Sequence, residues 1–273
     1  MADDDESLDR APSPAVIAGC EPFSAEGTGD VGVLVVHGFT GNPSSMRAQA
    51  HAVAAAGYHV EQPRLPGHGT TLDDMMSTAW SDWSGAAAEA YDVLARRVDS
   101  IVVIGLSMGG TLTLWTGLQR LDDPRLRGLV CVNPATMPQD ADTLAALRDM
   151  VASGTEVMPA IGSDIADPEQ SEIAYDGTPL RALLSLVDEG VTPIADRYGE
   201  LAVPLLLFTS TDDHVVPPAN SDHLVATYGG PVEQVVLDRS FHVATQDFDR
   251  DLISERCVEF VAAVTGDAGA SAS

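Results

Sequence analysis

The sequence predicts an α/β fold, a mostly parallel sheet covered by helices on both faces, and three observations predict it. Short apolar, β-branched runs recur along the chain: VGVLVV at 31–36, IVVI at 101–104, LVCV at 129–132 and PLLLFT at 204–209. Runs without polar alternation are what strands buried on both faces look like. Longer stretches that read as helices lie between them, and that alternation is the signature of βαβ units. The glycines, serines, histidines and aspartates that could carry chemistry fall just after the runs, where a parallel sheet places its ligand sites.

Taken in order, residues 1–14 are acidic, contain Pro and Ser, and read as a disordered N-terminus. Residues 15–24 hold a weak apolar segment suited to an edge strand. The run 31–36 ends at His37-Gly38-Phe39-Thr40-Gly41. A helix over about 43–56 follows, with Asn42 as N-cap, Pro43 in its first position and Gly57 ending it. A strand over 58–62 leads to the loop 63–69, where His68 is expected to hydrogen-bond locally. A long helix over about 80–97 feeds the run 101–104, and a second helix covers 110–119.

The run 129–132 ends at Asn133-Pro134, after which the chain changes character. Residues 135–200 carry Met137, Met150, Met158 and short helical patterns, with no convincing strand. These methionines suit either ordinary core or an adaptable apolar pocket. The run 204–209 ends at Ser210-Thr-Asp-Asp-His214, a helix follows over about 218–228, and the last strand spans 232–237. The loop Asp238-Arg-Ser-Phe-His242 precedes a helix over about 248–264, and 265–273 form a flexible small-residue tail.

Bulk properties narrow the classes of function. The 273 residues suffice for one large domain or one domain with an inserted lid. No apolar run approaches the roughly 20 residues that cross a bilayer, and the acidic start lacks a signal-peptide pattern, so a cytoplasmic location is expected. The 14 cationic residues, every one Arg, stand against 41 Asp and Glu and give a formal net charge of −27. Such a surface repels nucleic acid and anionic membranes. It is either a solubility bias or an adaptation to high salt, where screening relieves self-repulsion. Cys20, Cys131 and Cys257 are far apart and odd in number, which argues against a disulfide framework or a metal site. No metal and no cofactor are expected.

The central run turns through Gly105-Leu106-Ser107-Met108-Gly109, the G-x-S-x-G spacing of a nucleophile elbow. In that elbow a tight strand-to-helix turn lifts a serine hydroxyl above the sheet. A serine needs a base to take its proton, and a carboxylate to orient the base. In this fold the chain order is serine, acid, histidine. Of the seven histidines only His242 follows the last strand and a candidate acid, which makes it the expected base. Asp212 and Asp213 both lie in the right place for the acid; one of them should instead cap the following helix or support the turn. An oxyanion hole needs one N–H from the loop after the early strand and one from the residue after the serine, which are Phe39 and Met108.

These pieces resemble the α/β-hydrolase superfamily, and within it the small bacterial carboxylesterases and bacterial monoacylglycerol lipases. The likeness rests on His37-Gly-Phe-Thr-Gly41, Pro66-Gly-His-Gly69, Gly105-Leu-Ser-Met-Gly-Gly110, Asp213-His-Val-Val-Pro217 and Ser240-Phe-His-Val243. It implies Asp213 as the acid, two residues before Val215-Val216-Pro217. It also implies a small cap over 135–195, inserted into a core made of 15–134 and 196–264. The α/β-hydrolase fold with Ser107, Asp213 and His242 as a catalytic triad implies a serine ester hydrolase working through an acyl-enzyme. Its expected substrates are short- to medium-chain acyl esters or monoacylglycerols. The same machinery serves thioesterases, peptidases, acyltransferases and carbon–carbon hydrolases, and a non-catalytic ligand-binding module is a further alternative. Dehalogenases and epoxide hydrolases of this fold carry an aspartate at the elbow, so Ser107 argues against them. The expected partners are a small-molecule substrate, with no nucleic acid and no integral membrane segment, in a monomer or homodimer.

Overall fold

A computed structural model describes residues 14–160 and 162–267. The expected disordered N-terminus lies outside the described residues except for Pro14, as does the expected tail beyond 267.

Among the described residues seven strands form one sheet in the order β1-β3-β2-β4-β5-β8-β9. They are β1 (Phe23–Ala25), β2 (Val31–Val36), β3 (His59–Gln62), β4 (Ser100–Leu106), β5 (Leu126–Val132), β8 (Leu205–Ser210) and β9 (Val232–Leu237). Only β1, at one edge, runs antiparallel, pairing Phe23 with Gln62; every other neighbouring pair is parallel. The edge strand is thus later and shorter than the 15–24 segment suggests.

The helices are α1 (Arg47–Ala55), α2 (Leu72–Met76), α3 (Trp80–Ala95), α4 (Met108–Gln119), α5 (Ala141–Ala152), α6 (Leu180–Ser185), α7 (Ala219–Thr227) and α8 (Arg250–Thr265). Asn42 caps a 3-10 turn over Pro43–Met46 that leads into α1, its side chain accepting from Ser44 N–H at 2.9 Å. Gly266, at φ 71°, ends α8 in the left-handed conformation common one residue past a helix.

Alternate residues of each inner strand enter different layers, the period-two consequence of the pleat. Leu34, Val103, Leu129, Leu205 and Leu207 pack with Trp83 and Leu94 of α3 and Leu112 of α4. Val33, Val102, Ile104, Leu206 and Phe208 pack on the other face with Val53 of α1 and Ile253 and Cys257 of α8. Both faces of β2, β4, β5 and β8 are therefore covered, which is why those runs are apolar without alternation. All three cysteines are buried free thiols.

The segment between β5 and β8 carries α5, α6 and a small antiparallel hairpin, β6 (Val157–Pro159) with β7 (Gly177–Pro179). That hairpin corrects the expectation of no strand there. Three residues a side are too few to show a period of two.

Candidate functional site

The site grows from the turn between β4 and α4. Ser107 sits at φ 56° and ψ −119°, a conformation a non-glycine residue adopts at a cost of about 1–3 kcal/mol. Its N–H donates to the Val132 carbonyl at 2.9 Å, which ties the turn to the neighbouring strand. The flanking glycines are required by close approach. A Cβ at Gly105 would lie 2.0 Å from the Gly109 carbonyl oxygen, and one at Gly109 would lie 2.2 Å from that of Val36. Met108 opens α4, so its N–H belongs to the first turn, whose donors lack partners within the helix.

The residues expected as acid and base, Asp213 and His242, come from the loops after β8 and β9. Asp213 Oδ2 is 2.7 Å from His242 Nδ1, with side chains 1% and 8% exposed. Asp213 Oδ1 accepts from the N–H groups of Val215 at 2.9 Å and Val216 at 2.7 Å, so the carboxylate is fixed from two sides. Asp212 is exposed. Of the two adjacent acids, the structure pairs Asp213 with the histidine. Nδ1–H donates to this carboxylate, which leaves Nε2 as the basic nitrogen. Ser107, Phe39 and His242 border one cavity of about 330 Å³.

The loop after β2 runs beside the serine: a Cβ at Gly38 would be 3.3 Å from Ser107 Cβ. His37 holds this loop in shape. Its Nδ1 donates to the Gly38 carbonyl at 2.9 Å and its Nε2 accepts from Leu65 N–H at 3.1 Å. Burial, reinforced by the neighbouring His68, holds its pKa well below the ordinary value. His68 donates from Nδ1 to the Pro66 carbonyl at 2.9 Å, the local bond expected for it, and burial lowers its pKa to about 4. The two imidazoles meet edge to face with centroids 5.0 Å apart, and Phe39 meets Trp83 in the same way at 5.6 Å. Both histidines are neutral supports of the loop.

The far wall of the cavity comes from the segment between β5 and β8, with Leu147, Met158, Leu183, Val187 and Glu172. Met158 thus faces the cavity, while Met137 is exposed on the surface. Glu172 is a residue that sequence reasoning missed. Burial raises its carboxyl to about 7, against the opposing pull of His242. Asn133, just past β5 at φ 45°, is another. Its Nδ2 donates to Ser210 Oγ at 2.9 Å and to the His242 carbonyl at 2.8 Å, and its Oδ1 accepts from Ser210 N–H at 2.8 Å. No local signal marks either residue. Among the described residues no group of three or more His, Cys, Asp or Glu could hold a metal ion, and no helix is long and apolar enough to cross a membrane.

Comparison with known proteins bears on this geometry. The family described as serine aminopeptidase, S33, matches residues 30–249. A thermostable monoacylglycerol lipase of Bacillus sp. (strain H-257) is 42% identical over 254 residues, covering 92% of this chain and 98% of the relative. A carboxylesterase of Bacillus subtilis (strain 168) is 25% identical over 244 residues, covering 88% and 96%. Among solved structures, one of the metagenome-derived lipolytic enzymes LipS and LipT superposes with a TM-score of 0.85 at 39% identity, covering 91% of this chain and 100% of that one.

Proposed function

The chain belongs to the serine aminopeptidase S33 family of the α/β-hydrolase fold and is a carboxylic ester hydrolase, and we propose that Ser107, His242 and Asp213 are its catalytic triad. The observation that carries this reading is the 2.7 Å contact between Asp213 and His242, on the cavity that Ser107 also borders.

His242 Nε2 takes the Ser107 proton as Oγ attacks the ester carbonyl. Asp213 keeps Nδ1 protonated and stabilises the imidazolium. The tetrahedral oxyanion is received by the N–H groups of Phe39 and Met108, where losing one donor would cost about 100- to 1000-fold in rate. The alcohol leaves with the proton from Nε2, giving the acyl-enzyme. Water then gives a proton to the same nitrogen as it attacks the acyl carbonyl, and the tetrahedral intermediate collapses as Nε2 returns that proton to Ser107 Oγ, releasing the acid.

Short- to medium-chain acyl esters and monoacylglycerols are the proposed substrates. This is supported by the names of the relatives and by a largely apolar cavity of about 330 Å³. Residues 135–195 are proposed as a cap on a core of 15–134 and 196–264. Support for that division is that the cavity is bounded on one side by residues from the sheet's strand ends and on the other by this segment.

Ser107→Ala tests the assignment. The variant is expected to lose hydrolysis of p-nitrophenyl butyrate and octanoate, and fluorophosphonate labelling, with an unchanged melting temperature. Retained turnover would overturn it. A series of monoacylglycerols, simple esters and p-nitroanilides of graded chain length separates ester from peptide substrates and gives the preferred acyl length.

A further inference from the structure

The loops that bring Asp213 and His242 together leave β8 and β9, and β9 is the last strand of the sheet. The sheet therefore supports the His242 loop from one side only. On that side Asn133 donates to the His242 carbonyl at 2.8 Å. The backbone N–H of His242 is held from elsewhere. It donates to Asp164 Oδ2 at 3.1 Å, and the same oxygen accepts the N–H of His214, next to Asp213, at 3.1 Å. Asp164 Oδ1 is 2.8 Å from His214 Nδ1, and the Asp164 carbonyl accepts from Val243 N–H at 3.1 Å. The Asp164 side chain is 9% exposed.

Asp164 belongs to neither loop; it lies between β6 and β7, in the segment that forms the far wall of the cavity. A second carboxylate seats the same stretch. Asp247 accepts from Ala166 N–H at 2.7 Å and Asp167 N–H at 2.9 Å, and also from Phe241 N–H at 2.9 Å. Hydrogen bonds to an ionised acceptor are about twice as strong as neutral ones, and two donors on one oxygen fix the distance between the groups that carry them.

We infer that Asp164 is a positioning residue: a carboxylate from the segment between β5 and β8 bridges the backbone N–H groups of His214 and His242 and so sets the spacing of the acid and base loops. The inference rests on the triad reading above. Its mechanical content is that the far wall of the substrate cavity and the alignment of the Asp213–His242 pair are one structural unit. Reacting groups must be held within about 0.5 Å, and a displacement near 1 Å can cost about 100-fold in rate.

The test is steady-state hydrolysis of p-nitrophenyl butyrate and octanoate by Asp164→Ala, Asp164→Asn and His214→Ala, with melting temperatures recorded. Asp164→Ala is expected to lower kcat about 10- to 100-fold for both esters with KM within about 3-fold, because alignment and not ester binding is lost. Fluorophosphonate labelling should slow by the same factor. Asp164→Asn keeps one oxygen for the two donors and should recover kcat to about 3- to 10-fold below wild type. His214→Ala keeps its N–H on Asp164 but loses the imidazole contact to the carboxylate, and should lower kcat by less than Asp164→Ala does. Wild-type kcat in Asp164→Ala overturns the inference, and so does a loss confined to KM. A loss in His214→Ala larger than that in Asp164→Ala overturns it too, since the imidazole and not the carboxylate would then carry the effect. If the alanine variant does not fold, wild-type kcat in Asp164→Asn overturns it. None of these outcomes touches the triad reading, which stands or falls on Ser107→Ala.

Discussion

Asp213 holds His242 with one carboxylate oxygen and the backbone of its own turn with the other. Oδ2 lies 2.7 Å from Nδ1, and Oδ1 receives two N–H groups at 2.9 and 2.7 Å. The carboxylate therefore cannot turn away from the imidazole without giving up its own turn. Asp213→Asn should leave the fold intact and lower kcat by about 10,000-fold, because an amide favours the wrong histidine tautomer. Asp212→Asn, at an exposed position, should leave kcat near wild type. Equal losses in the two variants would contradict the assignment of the acid.

Glu172 gives the stability a dependence on pH. Burial raises its pKa from 4.5 to about 7 in the folded protein. The folded state then holds the proton more tightly than the unfolded chain, so stability falls as pH rises from about 4.5 to about 7. Glu172→Gln should melt a few °C above wild type at pH 8 and at the same temperature at pH 4. For a chain of this size about 1 kcal/mol moves the midpoint by roughly 2–4 °C. A difference independent of pH would refute the assignment.

His37 and His68 act in the opposite direction. Their folded pKa values lie below the unfolded value of 6.5, at about 4 for His68. The unfolded chain takes up protons first, so stability present above pH 6.5 is lost as pH falls toward about 4. Acid titration followed by tryptophan fluorescence should show this loss. His68→Gln, which retains a donor for the Pro66 carbonyl, should reduce the slope between pH 6.5 and 4. A slope equal to wild type would show that His68 is already charged.

Gly109→Ala should be among the most damaging single substitutions. Its Cβ would lie 2.2 Å from the Val36 carbonyl oxygen, and backbone cannot be displaced as a flexible side chain can. A loss of about 3 kcal/mol or more in urea denaturation is expected, above the usual range for overpacking. A stable, active variant would mean that the elbow is looser than described.

The net charge of −27 predicts a response to salt. The screening length falls from about 10 Å at 0.1 M to about 3 Å at 1 M ionic strength, which relieves repulsion among 41 acidic residues more than it weakens the fewer ion pairs. The melting temperature should rise over that range of NaCl. A flat response would leave the acidity as a solubility bias alone.

Much of this was legible in the sequence because its signals are local. The strand over 232–237 coincides with β9, and the elbow is a spacing of glycines around one serine. Residues 212 and 213 show where local reading ends. Both are aspartates after a strand; in the sequence only the family resemblance favours residue 213, and in the structure it is Asp213 that meets His242, 29 residues on. Asp164 and Glu172 are two acids among 41, with nothing in their neighbours to mark them. Their roles come from contacts with residues 50 and more positions away, such as Asp164 with His214 and His242. The β6–β7 hairpin was missed because its strands are three residues long.

Strands β5 and β8 are direct parallel neighbours, pairing Leu129 with Leu205, although more than seventy residues separate them. The intervening chain leaves and re-enters the sheet at adjacent rows, so its length and sequence can change without shifting any strand register. Substrate range can therefore diversify by transplanting this one stretch between relatives, while the strands that carry the Ser107, Asp213 and His242 loops keep their pairing. The Asp164 bridge sets the condition on such a graft: a donor segment lacking a carboxylate at that spot would bring a new pocket and a slower enzyme together.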